Sequence, residues 1–253
     1  MDKIKSKPVW PKSKEDIWDE VFEHLDEQEH KKFFLNKIPT WGYAACILIP
    51  LLLICHFYTV TEDTMKGEHS VVILPDRSTV TMNAESKLSY KPFEWYISKK
   101  VKLKGEAFFE VTPGRSFSVQ TGQTQVKVLG TTFNVYSRHE TCRVTCLSGQ
   151  VEVHAEKKSI ILNPNMQAVF NEKININNNV EVSTATGWMQ GKFVFIEMPL
   201  QEVIAEVERQ YNITVTPDYN PNHLYSGNFS KMEEPEEILE VIGKPFDISF
   251  SIE

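Results

Sequence analysis

The run Ile38 to Val60, IPTWGYAACILIPLLLICHFYTV, decides how the chain is read, because it holds no Asp, Glu, Lys or Arg over a length that matches the hydrocarbon thickness of a bilayer. It predicts one transmembrane helix over residues 38–60. Ile47, Leu48, Ile49, Leu51, Leu52, Leu53, Ile54 and Phe57 together favour insertion by roughly 2.4 to 4.8 kcal/mol, opposed by Pro50 and His56. Trp41 and Tyr43 at one end and Tyr58 at the other sit where aromatic belts meet headgroups. A cleaved signal peptide fits poorly, since an acidic helical segment precedes the run and bulky residues follow it. Leu52, Leu53 and Ile54 before Cys55 likewise lack the small residues that a lipidated cysteine requires.

Working outward, Lys31, Lys32 and Lys37 lie before the run, whereas Glu62 and Asp63 follow it. The positive-inside rule then places residues 1–37 in the cytoplasm and the rest, beyond about residue 61, outside. In the short amino-terminal segment, SKEDIWDEVFEHLDE places Ile17, Trp18, Val21, Phe22 and Leu25 at helical spacing, with Ser13 and Asp16 forming a capping box. The acidic opposite face suits an anionic inner leaflet badly, so the apolar stripe is expected to dock into a groove on a protein partner.

The formal net charge is −7, and no stripe of Lys and Arg with interleaved aromatics occurs, which argues against nucleic acid as a partner. Cys46 and Cys55 lie in the apolar run. Cys142, Val144 and Cys146 share one face of an alternating stretch, so the last two cysteines are expected in a core; at about 3.3 Å per residue, they are too far apart for a disulfide.

Beyond the run the pattern changes to period two, with short runs rich in Val, Phe and Thr separated by Pro, Gly, Asn and Asp. Eleven such runs, among them Lys99–Leu103, Ala107–Val111 and Thr132–Tyr136, predict an all-β sandwich or roll over residues 61–182. From residue 183 the order changes to strand, helix, strand, then strand, helix, strand. Leu200, Val203, Ile204 and Val207 mark the first helix, Pro235 opens the second, and the final strand covers Phe246–Ile252. This predicts a small α+β (βαββαβ) domain over 183–253. The fold class expected is therefore a single-pass membrane protein with a cytoplasmic helix, one transmembrane helix, an all-β domain and a small α+β domain.

No HExxH, GxSxG, phosphate loop or Cys-x-x-Cys occurs, and the histidines are dispersed, so no enzyme, cofactor or metal site is expected. Six phrases recur instead: LPDRSTVTMNAESKLSY at Leu74–Tyr90, LKGEAFFEV at Leu103–Val111, FSVQT at Phe117–Thr121, VKVLGTTFNVY at Val126–Tyr136, LSGQVEV at Leu147–Val153 and LNPNMQAVF at Leu162–Phe170. In this order, continued by W-x-x-G-x-F-x-F from Trp188 to Phe195, they resemble the periplasmic part of FecR-family anti-sigma regulators of Bacteroides-like bacteria. Arg77 and Asn165 stand where that pattern has Gly, at turns that favour left-handed backbone.

The resemblance implies a relay at the inner membrane, in which the signalling domain of an outer-membrane TonB-dependent transporter touches the periplasmic part. The cytoplasmic segment then releases or activates an extracytoplasmic-function sigma factor. The apolar stripe of the amino-terminal helix, which has no partner within so short a segment, makes Trp18, Val21, Phe22 and Leu25 the expected sigma-factor contact. The carboxy-terminal domain looks like the short signalling domains of secretins and such transporters, with Leu224–Phe229 as the candidate docking edge and Tyr225 and Phe229 as anchors. Some relatives with the Leu-Gly-Thr phrase cut themselves, which makes Gly130 and Thr131 a candidate junction: the Thr131 hydroxyl adjoins the Gly130 carbonyl, and an N-to-O acyl shift followed by hydrolysis would break the chain there. The plainer role for Gly130 is a β-bulge between Val128 and Phe133. A different function, an anchored periplasmic scaffold or adhesion module without a sigma partner, fits the same layout.

Overall fold

The computed structural model describes residues 12–26, 40–155, 158–171, 173–216, 220, 223–230 and 234–252. The chain divides into two compact units between Leu53 and Ile54. In the first unit, helix α1 (Lys14–Asp26) opens with the capping box that its sequence spells. The Asp16 amide donates to Ser13 Oγ and the Ser13 amide donates to Asp16 Oδ2, both at 3.1 Å. Trp18 and Phe22, one turn apart, have ring centroids 5.7 Å apart, and both are exposed.

The transmembrane helix expected over Ile38–Val60 is corrected: among the described residues helix α2 covers Thr40–Phe57, 18 residues. At 1.5 Å per residue that is about 27 Å, short of the roughly 30 Å hydrocarbon layer. Among the described residues no helix is long and apolar enough to cross a membrane. The far end of the run is claimed by a sheet: Val60 opens strand β1 (Val60–Asp63), and its ladder with β4 (Lys87–Tyr90) stops the helix from continuing. Pro50 lies inside α2 and His56 in its last turn. The predicted single-pass architecture therefore gives way to a predominantly β-sheet protein.

In the second unit, β2 (Ser70–Ile73), β3 (Thr79–Met82) and the long β5 (Lys99–Glu110) precede β6 (Phe117–Thr121), β7 (Thr124–Val128), β8 (Thr132–Arg138) and β9 (Thr141–Ser148). They are followed by β10 (Val151–Ala155), β11 (Lys158–Leu162), β12 (Gln167–Phe170) and β13 (Ile174–Asn177). The runs Lys99–Leu103 and Ala107–Val111, separate in the sequence reading, are one strand. Its first half pairs with β4 and β6, and its second half with β3 and β8, so β5 belongs to two layers. One layer runs β11-β10-β7-β6-β5-β4-β1 and the other β2-β3-β5-β8-β9-β12-β13.

Gly105 is where β5 passes between the layers. Its φ is +105°, and a Cβ there would stand 2.7 Å from Ser86 Cα, so no side chain fits the corner. Inside, Phe109 stacks on Phe133 with centroids 5.0 Å apart and meets Phe117 of the other layer edge-on at 6.2 Å. Cys142 and Cys146 face this core as free thiols, and burial pushes both up to about 11.

A short helix α3 (Val182–Thr186) and a 3-10 turn (Gly187–Gln190) lead into β14 (Lys192–Pro199), α4 (Leu200–Tyr211), β15 (Leu224–Ser230) and α5 (Pro235–Gly243). β14 and β15 form an antiparallel ribbon with a bulge between Phe195 and Met198. The expected mixed sheet is reduced: the segments around Val215 and Ile252 meet in a single bridge, because a 3-10 turn at Lys244–Phe246 and Asp247 with φ +56° occupy the start of the predicted last strand.

Candidate functional site

Helix α4 has two working faces. Leu200, Val203, Ile204 and Val207 fill the core of the carboxy-terminal module, while Glu206, Arg209 and Gln210 turn towards the β-domain. Arg209 and Gln210 are each only 5% exposed. Polar side chains this buried need partners: Arg209 finds Glu206 one turn back in its own helix, and the β-domain supplies Asn83 to Gln210.

Gln210 Nε2 donates to Asn83 Oδ1 at 2.7 Å and to Glu206 Oε1 at 2.8 Å. Its Oε1 lies 3.1 Å from His69 Nε2, and the His69 ring meets Trp188 edge-on at 5.2 Å. Asn83 Nδ2 donates to Glu106 Oε2, and Asn134 Nδ2 to Glu106 Oε1, both at 2.8 Å. Arg138 donates to the carbonyls of Ala84 and Glu85, which fixes the turn that carries Asn83. The Gly67 amide donates to the Arg209 carbonyl at 2.6 Å and closes the joint on its other side.

The charges are arranged unequally. Burial, and then the negative charge of Glu206, hold the Glu106 carboxyl above its ordinary value. Glu206 is partly buried, but Arg209 at 2.8 Å and Arg138 outweigh that burial and hold its carboxyl below the ordinary value. Burial pushes the Tyr136 hydroxyl up to about 12, and the Arg143 guanidinium sits over its ring at 4.6 Å. Clefts of about 650 and 760 Å³ flank the joint, the first lined by Asn134, Tyr136 and Arg143 and the second by Arg138, Glu208 and Arg209. Two domains held by one buried polar network move together or separate as units.

Asn83, Glu106 and Asn134 come from three of the recurrent phrases, but their convergence was not legible in the sequence, and Glu206, Arg209 and Gln210 were missed altogether. Of the residues singled out there, Trp18 and Phe22 form the exposed pair on α1; the side chains of Val21 and Leu25 lie outside the described residues. Tyr225 is 5% exposed and meets the rings of Phe195 and Phe246, inside the module's core. Phe229 is opposite Phe193 in the ribbon; its side chain lies outside the described residues.

Gly130 has φ +154°, and a Cβ there would stand 2.6 Å from Pro113 Cα. The adjacent Thr131 hydroxyl donates to the Gln150 carbonyl at 3.1 Å. The register shift in this region lies where Thr132 and Phe133 face Ser148 and Cys146, so the extra residue is Leu147 on β9 rather than Gly130. Arg77 and Asn165 adopt φ of +68° and +65°, the left-handed geometry their turns require. In W-x-x-G-x-F-x-F, Trp188 abuts His69, Gly191 caps the 3-10 turn at φ +66°, and Phe193 and Phe195 enter the module's core.

The comparisons with known proteins agree with this layout. The family profile described as FecR protein matches residues 60–152, and that described as FecR, C-terminal, matches residues 192–253. No curated protein sequence matches the chain. Two crystal structures of a candidate anti-sigma factor from Parabacteroides distasonis, at 2.50 and 1.65 Å resolution, are similar to it. They have TM-scores of 0.71 and 0.70 and identities of 30% and 29%; each match covers 77% of this chain and 98% of theirs. On the strength of both profiles and these structures, the chain belongs to the FecR family of anti-sigma factors, a regulatory and non-enzymatic family.

Proposed function

We propose that this anti-sigma factor couples an extracytoplasmic-function sigma factor, held by α1, to the signalling domain of an outer-membrane TonB-dependent transporter, met by the carboxy-terminal module in the periplasm. The observation that carries the sigma-factor half is the exposed pair Trp18 and Phe22, 53% and 59% accessible on a helix whose start is fixed by a capping box. Two neighbouring aromatic rings in water are the composition of a binding hot spot. The transporter half is supported by the ribbon β14–β15, which among the described residues is two-stranded and so offers its edges to an added strand, and by the buried joint that ties the module to the β-domain.

The test is co-purification of the full chain with the sigma factors of its own cell. The Trp18→Ala, Phe22→Ala double variant should lose the partner, with a weakening worth more than about 2 kcal/mol. Undiminished capture of the sigma factor by the double variant would overturn the assignment of α1. Deletion of residues 188–253 should leave sigma binding intact and abolish the response of target promoters to the transporter's ligand.

A further inference from the structure

We propose that the cleft between helix α4 and the end of β8 binds a phosphate group, and that the bound anion clamps the carboxy-terminal module to the β-domain. The cleft measures about 760 Å³, within the range of small-molecule sites. Lys66, Lys104 and Arg138 of the β-domain and Arg209 of α4 line it, against two carboxylates, Glu85 and Glu208. With His139 counted neutral the lining carries +2, in a chain whose formal net charge is −7. Positive charge is gathered here against the overall balance, which raises the local concentration of anions.

Arg138 identifies the occupant as an anion. It is only 9% exposed, its Nη atoms donate to the neutral carbonyls of Glu85 and Ala84, and its Nε has no acceptor. Among the described residues no carboxylate pairs with it, and a buried cation without a counter-ion is costly. Burial, and then the neighbouring charge of Arg209, hold the Arg138 guanidinium below its ordinary value, the mark of a site short of negative charge. Arg209 directs Nε and Nη2 at Glu206, which leaves its Nη1 without an acceptor among the described residues. Glu208 is already engaged by the Val215 amide at 2.7 Å. A phosphate group carries about −1.5 to −2 at neutral pH and so matches the lining, where a carboxylate would cancel half of it. Its oxygens accept from guanidinium and ammonium groups alike. Because Arg138 belongs to β8 and Arg209 to α4, an anion held by both stabilises the docked arrangement by mass action.

The experiment titrates the full chain with inorganic phosphate, glycerol phosphate and acetate by calorimetry, at neutral pH and constant ionic strength. Binding of either phosphate several-fold tighter than acetate is expected, and the tighter of the two tells a free ion from an organic ester. The Lys66→Gln, Lys104→Gln double variant should bind phosphate several-fold more weakly; neither lysine is buried, so the fold is retained. Lys100→Gln, Lys102→Gln, with the same change of charge at exposed positions of β5 outside the cleft, should bind as the parent does. Hydrogen exchange along α4 should slow when phosphate is added. Acetate binding as tightly as phosphate, equal weakening in both double variants, or exchange in α4 that phosphate leaves unchanged would overturn the proposal.

Discussion

Gln210 Nε2 lies 2.7 Å from Asn83 Oδ1, a buried hydrogen bond between residues 127 positions apart that joins the carboxy-terminal module to the β-domain. Removing Gln210 takes a partner from Glu206 Oε1 and His69 Nε2 as well, while Asn83 Oδ1 keeps the Ala84 amide.

Replacement of Gln210 by Ala should therefore lower stability by about 1–3 kcal/mol, the desolvation penalty of unsatisfied buried polar groups. The module should also loosen, with hydrogen exchange along α4 rising before that of the β5–β8 ladder. Unchanged exchange in α4 would remove the joint as the coupling element. Gln210→Glu should be worse than Gln210→Ala, because it adds a carboxylate beside Glu206 and Glu106.

Glu106 and Glu206 predict a stability profile with a slope on each side of 4.5, the ordinary glutamate value. Glu106 is raised, so the folded state binds its proton more tightly than the unfolded chain. Its contribution is fully present below 4.5 and is lost as pH climbs through the raised value. Glu206 is lowered, so its contribution is present above 4.5 and is lost as pH falls through the lowered value. Thermal melts of Glu106→Gln should lack the decline above 4.5 and keep the one below. Asn134 Oδ1 has no hydrogen-bond partner, and a half-turn of that amide presents it to the new Gln N–H. Glu106→Ala lacks that option and should be destabilised by about 1–3 kcal/mol.

Arg77, with φ +68°, occupies left-handed backbone that a Cβ disfavours. Arg77→Gly should stabilise the protein by roughly 0.5–1 kcal/mol, partly offset by the extra freedom of Gly in the unfolded chain. Asn165→Gly should gain less, because Asn tolerates this region better. Chemical denaturation of the two variants side by side ranks them, and a loss of stability in Arg77→Gly would refute the strain argument.

Gly130 and Thr131 should behave as structural residues. The Thr131 hydroxyl proton is directed at the Gln150 carbonyl, which accepts a hydrogen bond but does not take the proton away, as an acyl shift requires. Purified protein should run as one full-length band on a denaturing gel. A fragment beginning at Thr131, absent in Thr131→Ala and kept in Thr131→Ser, would be the contrary result. Gly130→Ala should be destabilised by at least about 1–3 kcal/mol, since it combines positive φ with a clash against Pro113.

Where a local rule governed, the sequence was sufficient. Period-two alternation located the strands around Cys142, Val144 and Cys146, the Ser13–Asp16 spacing located the start of α1, and the stripe Leu200, Val203, Ile204 and Val207 located α4. These patterns report which face of one element is buried, and that information is carried within a few residues. The limits of the apolar run and the joint are of another kind. Val60 is in a strand because Tyr90 pairs with it, and β5 is one strand because Gly105 lets it turn past Ser86. Nothing in the local sequence marks Glu206, Arg209 or Gln210. Arg209 and Gln210 are buried because Asn83, Glu106 and Arg138 arrive from distant parts of the β-domain to meet this helix. The partner of a polar side chain is chosen by long-range packing, and only the tertiary structure decided that choice.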